Sequence, residues 1–585
     1  MDFPLWFGPA DRSLFAMASM PDDGSASGAV VLCAPIGLEG VCARQTFATL
    51  GHALADVGIL AFRFDYDGTG DSVGGSEDPD RVAAWLRGVH HAVSLAHRSG
   101  VSKVAVVGMR LGATFAAAAL SDEGEGWDGD PVDGLVLWDP CPSGRSYLRA
   151  QRALQFFGVG QSDHGDGSVE APGVVFDADT VAALSAIDIG ALRGQLARRI
   201  LLLARKTPST GTGVLERFCA ARPVERGTAH GQERLVDVEP FAAEIPHADV
   251  EVVTRWLADT LTGERVPLSV PRRQDAIVGV GEAGSIVERP MSLGPIGLFG
   301  MVTEPQEVSP GGRGTGPTAL FLNAGVIDHV GPARLWVDLG RRWAAQGMRS
   351  VRCDLSGLGN SPPRPGQPDD EVYMPEAIED VLDVASAVSP DDPADVVLVG
   401  LCSGGYHAIE AALVLGARGV CAVNPAFPPK PAELRAADAA PTNEIDRRRK
   451  AAPARKRWVR SLPAHDLLGG MLERMPDQVW WLVNRVAVEH SPVRALRRLV
   501  DSGVRILIVS GDREARVIWR GEGRLRRSLE ASDGFRNVVD PGIDHELFKS
   551  DARRLASSIL TDEVLGAYGP RRTGTAPLRD RRGFP

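Results

Sequence analysis

Cys402 stands at the centre of Gly400-Leu401-Cys402-Ser403-Gly404, directly after the apolar run 396–399. Gly-x-nucleophile-x-Gly is the spacing of a sharp strand-to-helix turn that lifts a reactive side chain above a sheet. The crowded backbone of such a turn leaves room only for small residues at its two flanks. If Ser403 were the nucleophile, Leu401 would occupy one flank, so the register selects Cys402. The Ser403 backbone N–H then falls to the oxyanion hole, at a helix N-terminus that favours developing negative charge. A thiol paired with histidine can be thiolate at neutral pH and attacks thioesters and activated esters. The acyl-enzyme formed is itself a thioester, open to amines, thiols, hydroxyls or water. The alternative is a cysteine that only packs as a small hydrophobe.

A base and its orienting acid should follow in chain order, acid then histidine. Asp512 ends the apolar run "RILIVSG", and His545 lies in "PGIDHELF" just before the last helical stretch. Asp540 and Asp544 compete for the acid role; Asp544, adjacent to His545, is expected to point away. The second oxyanion donor is expected from "FLNAGVIDHVGP", at the Gly325–Val326 backbone with Asn323 nearby. Asn323 and His329 in that loop and His407, five residues after Cys402, are candidates to touch substrate. Each could instead serve packing or capping.

The elements that must carry these residues are written twice. "VVLCAPIG" at 30–37 parallels "ALFLNAG" at 319–325, and Asp65-Tyr-Asp-Gly-Thr-Gly-Asp-Ser72 parallels Asp354-Leu-Ser-Gly-Leu-Gly-Asn-Ser361. "VAVVGMRLGA" at 104–113 parallels "VVLVGLCSGG" at 396–405, and "RRILLLARK" at 198–206 parallels "VRILIVSGD" at 504–512. The order is kept and the offset stays at about 290–305 residues. Each half alternates β-branched runs with amphipathic helical patterns, the signature of a mostly parallel sheet with helices on both faces. In the first half Arg110 stands where Cys402 stands in the second. A guanidinium stays protonated and cannot attack. Lys206, after Arg205, replaces Asp512, and His247 sits near the histidine position with nothing to activate. Arg110 could hold an anion or pair with a local carboxylate such as Asp139; the pair is preferred.

On these motifs the chain to about residue 568 resembles tandem α/β-hydrolases of the serine aminopeptidase-like (S33-type) group. The first half, with "FDYDGTGDS", "GMRLGA" and "LWDPCPSGRSYL", is similar to hydrolase-like proteins found with exopolysaccharide and exosortase systems. The second, with "DLSGLGNS" and "GLCSGGYHA", looks like their cysteine-elbow relatives. Over the elbow alone it is also similar to polyhydroxyalkanoate synthases and dienelactone hydrolases. The resemblance implies two tandem α/β-hydrolase domains, each with a helical lid insertion. The expected division is a degenerate domain at 1–265 with a lid near 141–197, a catalytic domain at 272–568 with a lid near 426–500, and a disordered tail at 569–585. The two domains are expected to pack as a pseudo-dimer.

The totals agree with two domains, since the chain has 585 residues and single cores stop growing near ~250–300. A formal net charge of −11 argues against general nucleic-acid binding. The seven cysteines form no CxxC pair, so neither a disulfide framework nor a zinc site is expected. The start, "MDFPLWFGPADRS", lacks a basic stretch followed by an apolar core, and no apolar run approaches a membrane span. A cytoplasmic location is expected, with no cofactor: no Walker-type phosphate loop or metal cluster is written in the chain. The second insertion carries "DRRRKAAPARKRWVR" at 446–460, either a solvated face or a dock for coenzyme A or an acidic carrier protein. "MPDQVWWLVNRV" at 475–486 would line an acyl pocket or pack on the core. Two functional readings follow. One is a Cys402–His545–Asp512 acyl-transfer enzyme, acyltransferase or thioesterase/esterase, acting on a thioester or ester. The other is a non-catalytic pseudo-hydrolase scaffold.

Overall fold

A computed structural model describes residues 1–122, 130–158, 166–206, 212–306, 316–367, 370–427, 492–520 and 522–569. The basic stretch 446–460, the aromatic stretch 475–486, nearly all of the second expected lid and the tail lie outside the described residues.

Two sheets carry the chain. The first contains β1 (Asp2–Phe7), β2 (Leu14–Ser19), β3 (Ala29–Cys33), β4 (Leu60–Phe64), β5 (Val104–Met109), β6 (Val132–Trp138), β7 (Ala197–Arg205) and β8 (Glu225–Ala229), in the order β1-β2-β4-β3-β5-β6-β7-β8. The second contains β9 (Ala276–Gly281), β10 (Gly284–Leu293), β11 (Leu298–Pro305), β12 (Thr318–Phe321), β13 (Ser350–Cys353), β14 (Val396–Leu401), β15 (Gly419–Val423), β16 (Arg505–Ser510) and β17 (Phe535–Val539), in the order β9-β10-β11-β13-β12-β14-β15-β16-β17. Apart from the extra edge strand β9, the orders are the same. In each sheet the early strands pair antiparallel and the rest parallel. This is the α/β architecture expected from the strand–helix alternation, in tandem.

The central parallel strands are buried on both faces, which is why they read as unbroken apolar runs. In the second sheet successive strand residues feed separate cores: Leu320, Leu398 and Ile506 pack on one face, Phe321, Val399 and Val509 on the other. Phe321 stacks between Trp336 and Trp343 at 5.2 and 5.1 Å between ring centroids, pairs worth about 0.5–1.5 kcal/mol each beyond burial. That packing seats the helix Leu335–Ala345 against the strands that lead to the site.

The repeated acidic block folds identically in both halves. The Ser72 hydroxyl donates to the Asp65 carbonyl at 2.7 Å and accepts from the Phe15 amide at 2.9 Å. The Ser361 hydroxyl does the same with Asp354 and Phe299, at 2.6 and 2.8 Å. The amides of Asp71 and Asn360 each donate to the carboxylate six residues earlier, at 2.9 Å. Gly70 and Gly359 are required there: each has positive φ, and a Cβ would lie about 2 Å from that same carboxylate.

Trp6, Phe15 and Met17 from the first sheet pack with Ile286, Phe299 and Met301 from the second in one apolar cluster. Beside it runs a buried chain of charge. His329 donates to Asp354 (Nδ1, 2.9 Å) and to Asp71 (Nε2, 2.7 Å); Arg352 donates to Asp71 and to Glu288, at 2.5 and 2.6 Å. The segment between the two expected domains is tied to the first half: Arg273 bridges Trp6 of the first sheet, and Val266–Pro267 forms a separate two-stranded sheet with Ser25–Ala26. No described helix is long and apolar enough to cross a membrane.

Candidate active site

β14 runs into the helix α1 (Ser403–Leu415) through Cys402 alone, at φ 55° and ψ −117°. A non-glycine residue in that region costs about 1–3 kcal/mol and persists only where the surroundings over-determine it. Here they do. The Cys402 amide donates to the Val423 carbonyl at 3.0 Å, and its carbonyl accepts from the Ala426 amide at 3.0 Å. Gly400 and Gly404 are needed for closeness: a Cβ on Gly400 would sit 2.1 Å from the Gly404 carbonyl carbon, and one on Gly404 would sit 2.4 Å from the Asn323 carbonyl oxygen. All seven cysteines are free thiols, and only Cys402 and Cys219 are partly accessible.

His545 interacts with Cys402 on one side and with Glu514 on the other, its Nδ1 3.3 Å from the Glu514 carboxylate. Burial pulls the imidazole down, but the bonds to Cys402 and Glu514 outweigh it and hold it up at about 10. Burial pushes Glu514 up, and the bond from His545 outweighs that in turn, leaving its carboxyl below the usual range. The carboxylate at His545 is therefore Glu514, where the sequence had pointed to Asp512. Asp512 is the first residue of the helix Asp512–Ile518 and is exposed. Glu514, half a turn further on, is carried back over the histidine loop. The competing acids serve that loop's turns: Asp544 accepts from the amides of Phe548 and Lys549, and Asp540 from that of Gly542.

Asn424 ends β15 with φ 42° and is fully buried. Its Nδ2 donates to the carbonyls of Asp544 and His545, each at 3.0 Å, and its Oδ1 accepts from the Gly511 amide at 2.9 Å. One side chain thus staples the histidine loop to the turn that delivers Glu514. The sequence signal was an Asn before Pro at a strand end, since Asn tolerates positive φ better than most residues.

On the oxyanion side, the Gly325 amide donates to the Ser403 hydroxyl at 2.9 Å and is already engaged. The Val326 amide enters no backbone hydrogen bond among the described residues. The Ser403 amide, at the first helical position, has no acceptor within its own helix. Two amides are thus left without a backbone acceptor among the described residues. Asn323 does not face substrate: its Nδ2 donates to Ile327 and Asp354, and its Oδ1 accepts from Leu355. Nor does His329, which is held between Asp71 and Asp354. His407 is 1% exposed and packs beneath Tyr373 and Tyr406; burial holds its imidazole down at about 4. These three residues, expected as substrate contacts, position the site from behind.

Tyr373 was missed by sequence reasoning, because "EVYMPEA" matches no motif. Its hydroxyl donates to the Ala426 carbonyl at 3.5 Å and stands beside Cys402; burial, then the neighbouring Cys402, push the phenol up, so it stays protonated.

The first half keeps the scaffold and fills the site. Arg110 has φ 54° and ψ −122°, and its amide donates to Trp138 as that of Cys402 does to Val423. Its guanidinium pairs with Glu39 at 3.1 Å and Asp139 at 3.2 Å, and Arg205 pairs with Asp139 at 2.5 Å. The expected Arg110–Asp139 pair is present, and His247 is exposed at the start of another helix.

Residues 319–558 match the model of the alpha/beta hydrolase family. No curated protein matches the chain. Among solved structures, Est1E from Butyrivibrio proteoclasticus is similar at 12% identity, covering 44% of this chain and 98% of its own, with a TM-score of 0.33. A proline iminopeptidase from Mycobacterium smegmatis is similar at 15% identity over 45% of this chain and 99% of its own, with a TM-score of 0.30. A dienelactone hydrolase from Anabaena variabilis is similar at 12% identity over 51% of this chain and 100% of its own, with a TM-score of 0.28.

Proposed function

We propose that the second half is an acyl-transfer enzyme in which Cys402, His545 and Glu514 act together on a thioester or ester. The observation that carries this is the strained turn at Cys402, held against a histidine that is itself held by a carboxylate. His545 takes the Cys402 proton, and its raised pKa favours the imidazolium–thiolate pair. The thiolate attacks the acyl carbonyl carbon, and the carbonyl oxygen becomes the oxyanion facing the amides of Ser403 and Val326. As the tetrahedral intermediate collapses, the leaving group takes the His545 proton and the acyl group remains on sulfur. An acceptor hydroxyl, amine, thiol or water gives its proton to His545 and attacks the thioester. The product leaves and the Cys402 thiolate returns.

Coenzyme A or an acidic carrier protein fits the substrate class, with the basic stretch 446–460 as its dock. The test is intact-protein mass spectrometry after brief exposure to a panel of acyl thioesters. Wild type gains the acyl mass and Cys402→Ala does not. If no thioester or activated ester leaves a Cys402-dependent mass and none is turned over, the scaffold reading replaces this one. The filled site around Arg110 already supports that second reading for the first half.

A further inference from the structure

The oxyanion loop of the second half is a strained piece of backbone. Between Gly325 and Arg334 it holds four residues with positive φ: Gly325, Gly331, Ala333 and Arg334, two of them not glycine. Behind it, between the two halves, lies a cleft of about 1000 Å³ whose walls include Phe64, Asp65, Ile327, Asp328 and Pro332. Close packing on that side therefore does not immobilise it. A strained loop beside open space keeps its shape only if polar tethers hold it.

Within the second half Ser403 holds the Gly325 amide, Asn323 the Ile327 carbonyl and Asp354 His329; further tethers come from the first half. Arg44, on the helix Leu38–Asp56, donates to the Val326 carbonyl at 3.3 Å and to the Gly359 carbonyl at 2.8 Å. Its Nε stands 3.8 Å from Asp328. Asp71 takes His329 Nε2 at 2.7 Å, at the far end of the same loop. Arg334, which closes the loop, donates back to the carbonyls of Gly70 and Ser72 at 2.8 and 2.7 Å. The segment that presents the Val326 amide is thus pinned by residues that lie 250 or more positions away in sequence.

We infer that Arg44 and Asp71 are positioning residues for the second half's oxyanion hole: the half without a nucleophile holds the Val326 amide where the acyl oxyanion forms. This rests on the acyl-transfer reading above. It gives the first half a part in the reaction without any chemistry of its own. It also separates two properties of the site. Thiolate formation depends on His545 and Glu514, which Arg44 does not touch. Acylation depends on the oxyanion amides as well. An amide displaced by about 1 Å costs on the order of a hundredfold in rate.

The experiment uses the full chain as wild type, Arg44→Met, Arg44→Lys and Cys402→Ala. Each is treated with p-nitrophenyl acetate, with acetylation of Cys402 followed by intact mass. Each is also treated with iodoacetamide, which alkylates a thiolate without needing an oxyanion hole. Arg44→Met is expected to acetylate about tenfold to a hundredfold more slowly. Its alkylation rate and the pH profile of alkylation should match wild type, and Arg44→Lys should recover part of the acetylation rate. Acetylation of Arg44→Met at the wild-type rate overturns the inference. So does a parallel loss of alkylation, which would mean that Arg44 supports the whole site and not the loop. A wild type that never acetylates at Cys402 overturns the acyl-transfer reading itself, and this inference with it.

Discussion

At Cys402 the reactive atom and its proton partner are one unit, and that unit makes pH predictions. With His545 as its proton acceptor, Cys402 should be alkylated by iodoacetamide at neutral pH. His545→Ala should slow that alkylation about tenfold or more at the same pH. Identical rates in the two proteins would deny the pair. Glu514→Gln should lower acylation about tenfold to a hundredfold, whereas exposed Asp512→Asn should leave it near wild type; the opposite ranking would return the acid role to Asp512. Tyr373→Phe removes the hydroxyl beside Cys402 and should slow acylation about tenfold or more without unfolding the protein. The two histidines also mark stability with opposite signs. His545 lies above its unfolded value, so its contribution is complete below about 6.5 and is lost as pH rises through about 10. His407 is held down at about 4, so the unfolded chain binds the extra proton and stability falls as pH drops from 6.5 towards 4. Urea midpoints across about pH 4–7 should therefore fall less steeply at the acid end in His407→Gln.

At the scale of elements, the site is a junction of strand ends. β14, β15 and β16 deliver Cys402, Asn424 and Gly511 side by side, and parallel pairing sets their relative height. Asn424 then converts strand register into placement of His545. Asn424→Leu, similar in volume, would leave the Gly511 amide and two loop carbonyls without their partner, at about 1–3 kcal/mol for each group left buried. The expected result is a lower melting temperature together with slower alkylation of Cys402 at neutral pH. A change in melting temperature alone would make Asn424 a purely structural residue. The turn itself was legible in sequence because its glycines are forced by contact: nothing larger fits beside the Gly404 carbonyl or the Asn323 carbonyl.

Across the whole molecule, two polar networks answer to different duties. The one around Arg110 occupies the place where chemistry would be in the first half. Arg110→Ala leaves Glu39 buried without its cation, while Asp139 keeps Arg205, a loss of about 3–5 kcal/mol. Activity per folded molecule should be nearly unchanged; its complete loss in a folded variant would give Arg110 a role in the reaction. The other network joins the halves through Asp71, His329, Arg352 and Glu288. Arg352 is fully buried between two carboxylates, so Arg352→Met should cost a similar ~3–5 kcal/mol, read as a drop in the urea midpoint. A midpoint within error of wild type would mean that the network contributes nothing net.

What could be read from residue order alone was whatever depends on local spacing. The strand–helix alternation, the duplicated acidic block, the glycine-flanked turn and the histidine loop all rest on contacts between residues near in sequence or on the two-residue repeat of a strand. The Arg110–Asp139 pair was foreseen because both residues end neighbouring strands. What only the tertiary structure decided was the choice among near-equivalents. Asp512 and Glu514 are two residues apart, and the direction in which a helix leaves a strand determines which one meets His545. Asn323, His329 and His407 looked like substrate contacts because they are polar and close to the site in sequence. Burial against Asp354, Asp71 and Tyr373 turned each of them inward. The hold of Arg44 and Asp71 on the oxyanion loop joins residues more than 250 positions apart, and no local pattern encodes a contact made only when two separately folded sheets meet.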